Sequence, residues 1–131
     1  MNQQDKESAT RAYLEAAEWT LDDDDAKPNG FSEQAREHAS AAVESFATRA
    51  GIYAGFAINR PGYDASRLGH DLWLTRNGHG AGFWDRDELE EPEGDTGPGV
   101  GEELTRHAEA MGECYAYTGD DGLLHIDGGE E

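Results

Sequence analysis

His70, Asp71, His79 and Asp85 lie in one short segment and carry imidazole and carboxylate groups, the donor types that bind transition metals and relay protons. Their spacing matches no defined zinc or iron pattern. The segment reads as two strands joined by a turn, and strand alternation would send His70 and Asp71 to opposite faces. Structural roles, such as bonding of His70 or Asp71 to turn backbone, are therefore expected, and no metal is assigned. Gly78-His79-Gly80-Ala81-Gly82 superficially suggests a phosphate cradle. It lacks the G-x-G-x-x-G order, the P-loop lysine and a following helix, so it reads as a turn. Neither Cys114 nor any serine sits in a recognisable nucleophile elbow. As the single cysteine, Cys114 forms no intramolecular disulfide and reads as a small buried hydrophobe beside Tyr115, in keeping with a reducing compartment. No catalytic residue and no cofactor is assigned, and an enzyme is not expected.

The charge of the chain is the more informative signal. It has 29 acidic and 10 basic residues, a net charge of −19, unevenly distributed. Residues 1–30 hold eight acids and three bases, residues 31–69 four of each, and residues 70–131 seventeen acids and three bases. Such an excess repels phosphate and anionic lipid, which argues against direct nucleic-acid or membrane binding and for a basic partner. The N-terminus lacks the basic and apolar stretches of a secretion signal and no apolar run is long enough to span a bilayer, so a soluble, cytoplasmic protein is expected.

At 131 residues and 36% hydrophobic content, one domain spanning 1–131 with a thin core is expected. Periodic apolar positions predict a helix over about 7–21, ended by Asp22 to Asp25 and the Lys27-Pro28-Asn29-Gly30 turn. Ser32 caps a second helix with an alanine-rich stripe through Phe46 to Gly51. Residues 52–58 fit a strand, a buried loop or a helical continuation, and 64–68 a single helical turn capped by Asp64. Residues 71–75 and 82–85 predict a first hairpin around Asn77-Gly78-His79-Gly80. Residues 85–103, with nine acids and one base, predict an exposed acidic loop. A third helix follows over 102–111, then a second hairpin from 114–118 and 123–126, and a frayed tail from about 127. The expected class is α+β: a small antiparallel sheet of two hairpins packed on about three helices, in the order α-α-β-β-α-β-β. Trp73, Phe83 and Trp84 read mainly as core packing; adjacent on a strand, Phe83 and Trp84 would face opposite sides, so one of them, taken as Trp84, is the candidate for partner contact.

The block Gly69-His70-Asp71-Leu72-Trp73-Leu74-Thr75-Arg76-Asn77-Gly78-His79-Gly80-Ala81-Gly82-Phe83-Trp84-Asp85-Arg86 resembles the central motif of a family of small, mostly uncharacterised bacteriophage and prophage proteins. The similarity extends to Leu104-Thr105 and Tyr117-Thr118-Gly119-Asp120-Asp121-Gly122, covering about residues 64–126. It implies a viral accessory origin and action inside the infected cell, with no catalytic role to carry over. The long acidic insertion after Trp84 departs from the family pattern.

Clustered acidity beside this resemblance suggests a phage inhibitor of a host nucleic-acid-handling defence complex, of the anti-CRISPR or anti-restriction kind, that imitates nucleic acid. DNA carries one charge per roughly 1.7 Å of axis, and carboxylates at comparable density can occupy a Lys/Arg channel. The residues assigned to that contact are Asp22, Asp23, Asp24, Asp25, Asp87, Glu88, Glu90, Glu91, Glu93, Asp95 and Trp84. The alternatives are an acid-rich, salt-adapted viral accessory protein without mimicry and, last, a small metal-dependent enzyme using the histidines.

Overall fold

The computed structural model of the chain describes residues 1–22, 26–94 and 97–129, so the assignments made for Asp23, Asp24, Asp25 and Asp95 lie outside the described residues. Helix α1, Gln3–Trp19, opens on a reciprocal cap: the Asn2 side chain accepts from the Asp5 amide at 2.8 Å, and the Asp5 carboxylate accepts from the Asn2 amide at 3.2 Å. Helix α2, Glu33–Ala50, starts at Ser32, whose hydroxyl accepts from the Ala35 amide at 3.0 Å. Gly51, at φ 57°, breaks it and begins the short helix α3, Ile52–Ile58. Helix α4, Ala65–Arg76, is capped by Asp64, and α5 spans Val100–Ala110. Strands β1, Cys114–Thr118, and β2, Leu124–Gly128, pair antiparallel with Tyr115 opposite Asp127 and Thr118 opposite Leu124.

The class is α+β, but with five helices and one hairpin among the described residues instead of three helices and two hairpins. The predicted first hairpin is absent: 71–75 lie in α4, which extends the predicted turn at 64–68, and 83–85 form a turn of 3-10 helix. Residues 52–58 are helical. The tail does not fray at 127, because Asp127 and Gly128 pair with Tyr115 and Cys114. The acidic segment is not simply an exposed loop either. Residues 87–89 form a second 3-10 turn that buries Leu89, and residues from Val100 onward belong to α5.

Helices α1 and α4 cross at Gly69, where an added Cβ would fall 2.0 Å from the Ala9 carbonyl oxygen. Around this crossing pack Tyr13 and Trp73, edge to face with ring centroids 5.2 Å apart. Phe46 of α2 stacks on Phe83 at 5.4 Å, fixing the segment after α4 against α2. The hairpin joins through its β2 edge. The Ser32 amide donates to the Leu124 carbonyl at 3.0 Å and the Leu124 amide to the Gly30 carbonyl at 2.9 Å. The Gln34 side-chain amide continues this ladder, bonding both the Ile126 amide and its carbonyl. That cover leaves less of the strand edge free to pair with another chain. No helix among the described residues is long and apolar enough to cross a membrane.

Candidate functional site

The motif block builds a scaffold around α4. Asp71 is 1% exposed, a position where an unpaired carboxylate would cost several kcal/mol. Arg86 compensates with three hydrogen bonds to it, from 2.6 to 3.1 Å, and the Tyr63 hydroxyl donates a fourth at 2.7 Å. Those bonds to Asp71 hold the Arg86 guanidinium charged more firmly than usual, while burial and the neighbouring Asp71 keep Tyr63 a neutral donor. One turn on, the Thr75 hydroxyl accepts from the Phe83 amide at 3.1 Å. Gly82 is required there, since a Cβ would sit 2.1 Å from that hydroxyl oxygen. The Asn77 side chain accepts from the Cys114 amide at 2.8 Å, tying the end of α4 to β1.

The four residues with metal-binding side chains do not converge. His70 lies against Trp19 with ring centroids 5.9 Å apart, His79 stacks on Trp73 at 6.4 Å, Asp71 is engaged by Arg86, and Asp85 is exposed. Because His70 and Asp71 are on a helix, not a strand, a difference in burial separates them: His70 is partly exposed and Asp71 faces the core. Asp71 bonds to the side chains of Tyr63 and Arg86 and not to turn backbone. Gly78, at φ 64°, and Gly80, at φ 81°, end α4 and turn the chain.

The acidic segment is tethered by arginines from the charge-balanced middle of the chain. Arg60 donates to the backbone carbonyls of Glu88 and Glu91 and to the Glu93 carboxylate, each at 3.0 Å. Arg67 stands 3.6 Å from Glu88 Oε2, close enough for attraction but beyond a hydrogen bond, and that buried oxygen accepts none. The sequence segregation of charge is thus partly undone in space. Glu88 and Glu93 serve the chain's own fold, whereas Asp85, Asp87 and Glu90 are exposed and outside these ion pairs.

Trp84 is 58% exposed and stands over a groove of about 500 Å³ between the 83–90 segment and α5. Glu90, Glu102 and Glu109 line the same groove, with Arg86 and Arg106 beside them. Arg106 is engaged by Glu103 at 2.6 Å. Of the predicted contact residues, the structure therefore brings together Trp84 and Glu90. Asp87 is exposed nearby in sequence, Glu88, Glu91 and Glu93 gather on the Arg60 side, and Asp22 lines another cleft, beside Trp19. Chemically, the groove sets an exposed indole among four carboxylates and two guanidiniums, a net negative setting that suits a cation.

A further polar cluster escaped the sequence reading. The Tyr13 hydroxyl lies 2.9 Å from His38 Nε2 and 3.6 Å from Cys114 Sγ, and accepts from Arg76 Nη1 at 3.2 Å. Burial pushes the Tyr13 phenol well above its ordinary range; Cys114 adds to the effect and Arg76 opposes it. Arg76 also donates to the Met111 and Gly112 carbonyls, so the cluster joins α1, α2, α4 and the end of α5. Cys114 is buried as expected, but among polar partners. The available signal was His38 itself, which sits on the alanine stripe of α2 where an inward-facing residue belongs.

Comparison with protein-family models, with curated proteins and with solved structures finds no match to this chain.

Proposed function

We propose that this protein is a binding protein and not an enzyme: an inhibitor that occupies the basic nucleic-acid-binding surface of a partner protein. The observation that supports this most is the exposed Trp84 over a groove whose walls carry Glu90, Glu102 and Glu109. Tryptophan is among the side chains that most often anchor an interface energetically, and a net charge of −19 selects a cationic counterpart. With the resemblance to phage proteins, the reading extends to a phage-encoded inhibitor of a host CRISPR or restriction complex, acting in the host cytoplasm.

The Arg60 and Arg67 pairings favour a second reading for part of the acidity, in which Glu88 and Glu93 hold the segment in place and contact nothing else. The two readings separate by substitution. Under the inhibitor reading, Asp85→Asn with Asp87→Asn and Glu90→Gln weakens partner binding and leaves the melting temperature unchanged. Glu88→Gln with Glu93→Gln loosens the fold instead. If the first set alters only solubility or salt tolerance, the acidity is general surface solvation and the inhibitor reading fails.

A further inference from the structure

Three surface depressions are linked by shared lining residues. The cleft beside Trp19, about 670 Å³, meets a hollow of about 360 Å³ at His70. That hollow meets the 500 Å³ groove at Trp84 through Arg86. One track therefore passes from Trp19 over His70 and Arg67 to Arg86 and Trp84. Each end sets an exposed indole in an excess of carboxylates: Trp19, 73% exposed, with Glu15, Glu18 and Asp22 against Lys27, and Trp84, 58% exposed, with Glu90, Glu102, Glu103 and Glu109 against Arg86 and Arg106. Its middle differs, because Arg67 and Arg86 both line it.

We propose that this track is one docking groove for an extended segment of a partner protein, bearing arginines at both ends and uncharged residues between. The proposal rests on the basic-partner reading and adds a second anchor, Trp19, to it. A guanidinium stacks flat on an indole and pairs with carboxylates through its planar fork, and each end of the track offers both. The middle, where Arg67 and Arg86 stand against the single carboxylate of Asp71, offers a cation no acidic excess and accommodates a neutral chain. The anchors sit on one frame, since α1, which carries Trp19, meets α4 at Gly69 without a side chain between them, and Asp71 of α4 holds the segment of Trp84 through Arg86. Single-stranded nucleic acid also stacks on indoles, but the carboxylates at both ends repel its phosphates.

Calorimetric titration of the full chain tests this with synthetic peptides carrying an Arg-Arg pair at each end of Gly-Ser spacers of graded length, compared with a peptide carrying one pair. Two-ended peptides within a window of spacer lengths bind one to one, at least about tenfold tighter than the one-ended peptide. Trp19→Ala or Trp84→Ala returns the affinity to the one-ended value, with circular dichroism unchanged. Binding of two peptides per chain at every spacer length, or a silent Trp19→Ala, overturns the single groove. So does binding of oligothymidylate in the track. If binding survives Trp19→Ala and is lost in Glu90→Gln, only the second anchor falls; if no arginine peptide binds the parent, the basic-partner reading falls with it.

Discussion

Arg86 grips Asp71 with three hydrogen bonds of 2.6 to 3.1 Å, and so fastens the segment that carries Trp84 to the buried face of α4. The pair spans the motif block, from its third residue to its last, which gives that block a structural meaning whatever its ancestry.

The first prediction concerns this pair. Exposed ion pairs contribute about 0.2–1 kcal/mol, whereas removing one partner of a buried pair costs about 3–5 kcal/mol. Arg86 keeps 29% side-chain exposure and can turn partly to water, so Asp71→Asn belongs near the lower figure. Tyr63→Phe, which deletes one hydrogen bond to a charged group, costs about 1.5–3 kcal/mol. Urea denaturation of both variants checks the order.

Gly69→Ala provides the second. In an open helix alanine would gain up to about 1 kcal/mol over glycine. Here the new methyl meets the Ala9 carbonyl oxygen at 2.0 Å, backbone that cannot move aside without parting α1 from α4. Overpacking of about 1–3 kcal/mol or more outweighs the propensity gain, so the melting temperature falls. A rise would show that the helices do not cross there.

Elements with a polar outer face could be read from the sequence, as with α2, α5 and the 114–128 hairpin. Helix α4 could not, because Asp71, Leu72, Trp73, Leu74, Thr75 and Arg76 are all buried, and a helix covered all round loses its 3.6-residue pattern. What remained was an accidental alternation beside glycines, which imitates a hairpin. The acidic segment misled differently: its buried apolar residues among those described, Leu89 and Val100, and its tether, Arg60, form no local pattern. The Tyr13, His38 and Cys114 cluster is likewise assembled from distant positions. By contrast, strand alternation, on a strand that does not exist, puts Phe83 and Trp84 on opposite sides, and the 3-10 turn likewise separates exposed Trp84 from buried Phe83.

A third prediction concerns acid. The Asp121 carboxylate accepts from the Leu123 amide at 3.0 Å and lies 3.0 Å from His125 Nε2. The Leu123 bond first, and His125 second, hold its pKa below the ordinary value of 3.8. A lowered pKa means that the folded hairpin binds its proton less readily than the unfolded chain. The stabilisation is therefore fully present above pH 3.8 and is lost as pH falls through the lowered value. Asp121→Asn should flatten the acid limb of the melting profile and lower stability near neutrality; an unchanged acid limb would contradict the assignment.

Competition is the most direct measurement of the basic-surface reading. The protein, immobilised, is exposed to extract from defence-active cells with and without excess duplex DNA or RNA. The expected result is capture of a nucleic-acid-handling complex that free nucleic acid displaces, that rising salt releases steeply, and that the Asp85→Asn, Asp87→Asn, Glu90→Gln protein retains poorly. Capture of a partner that holds its nucleic acid at the same time, with equal strength for the neutralised protein, would contradict it.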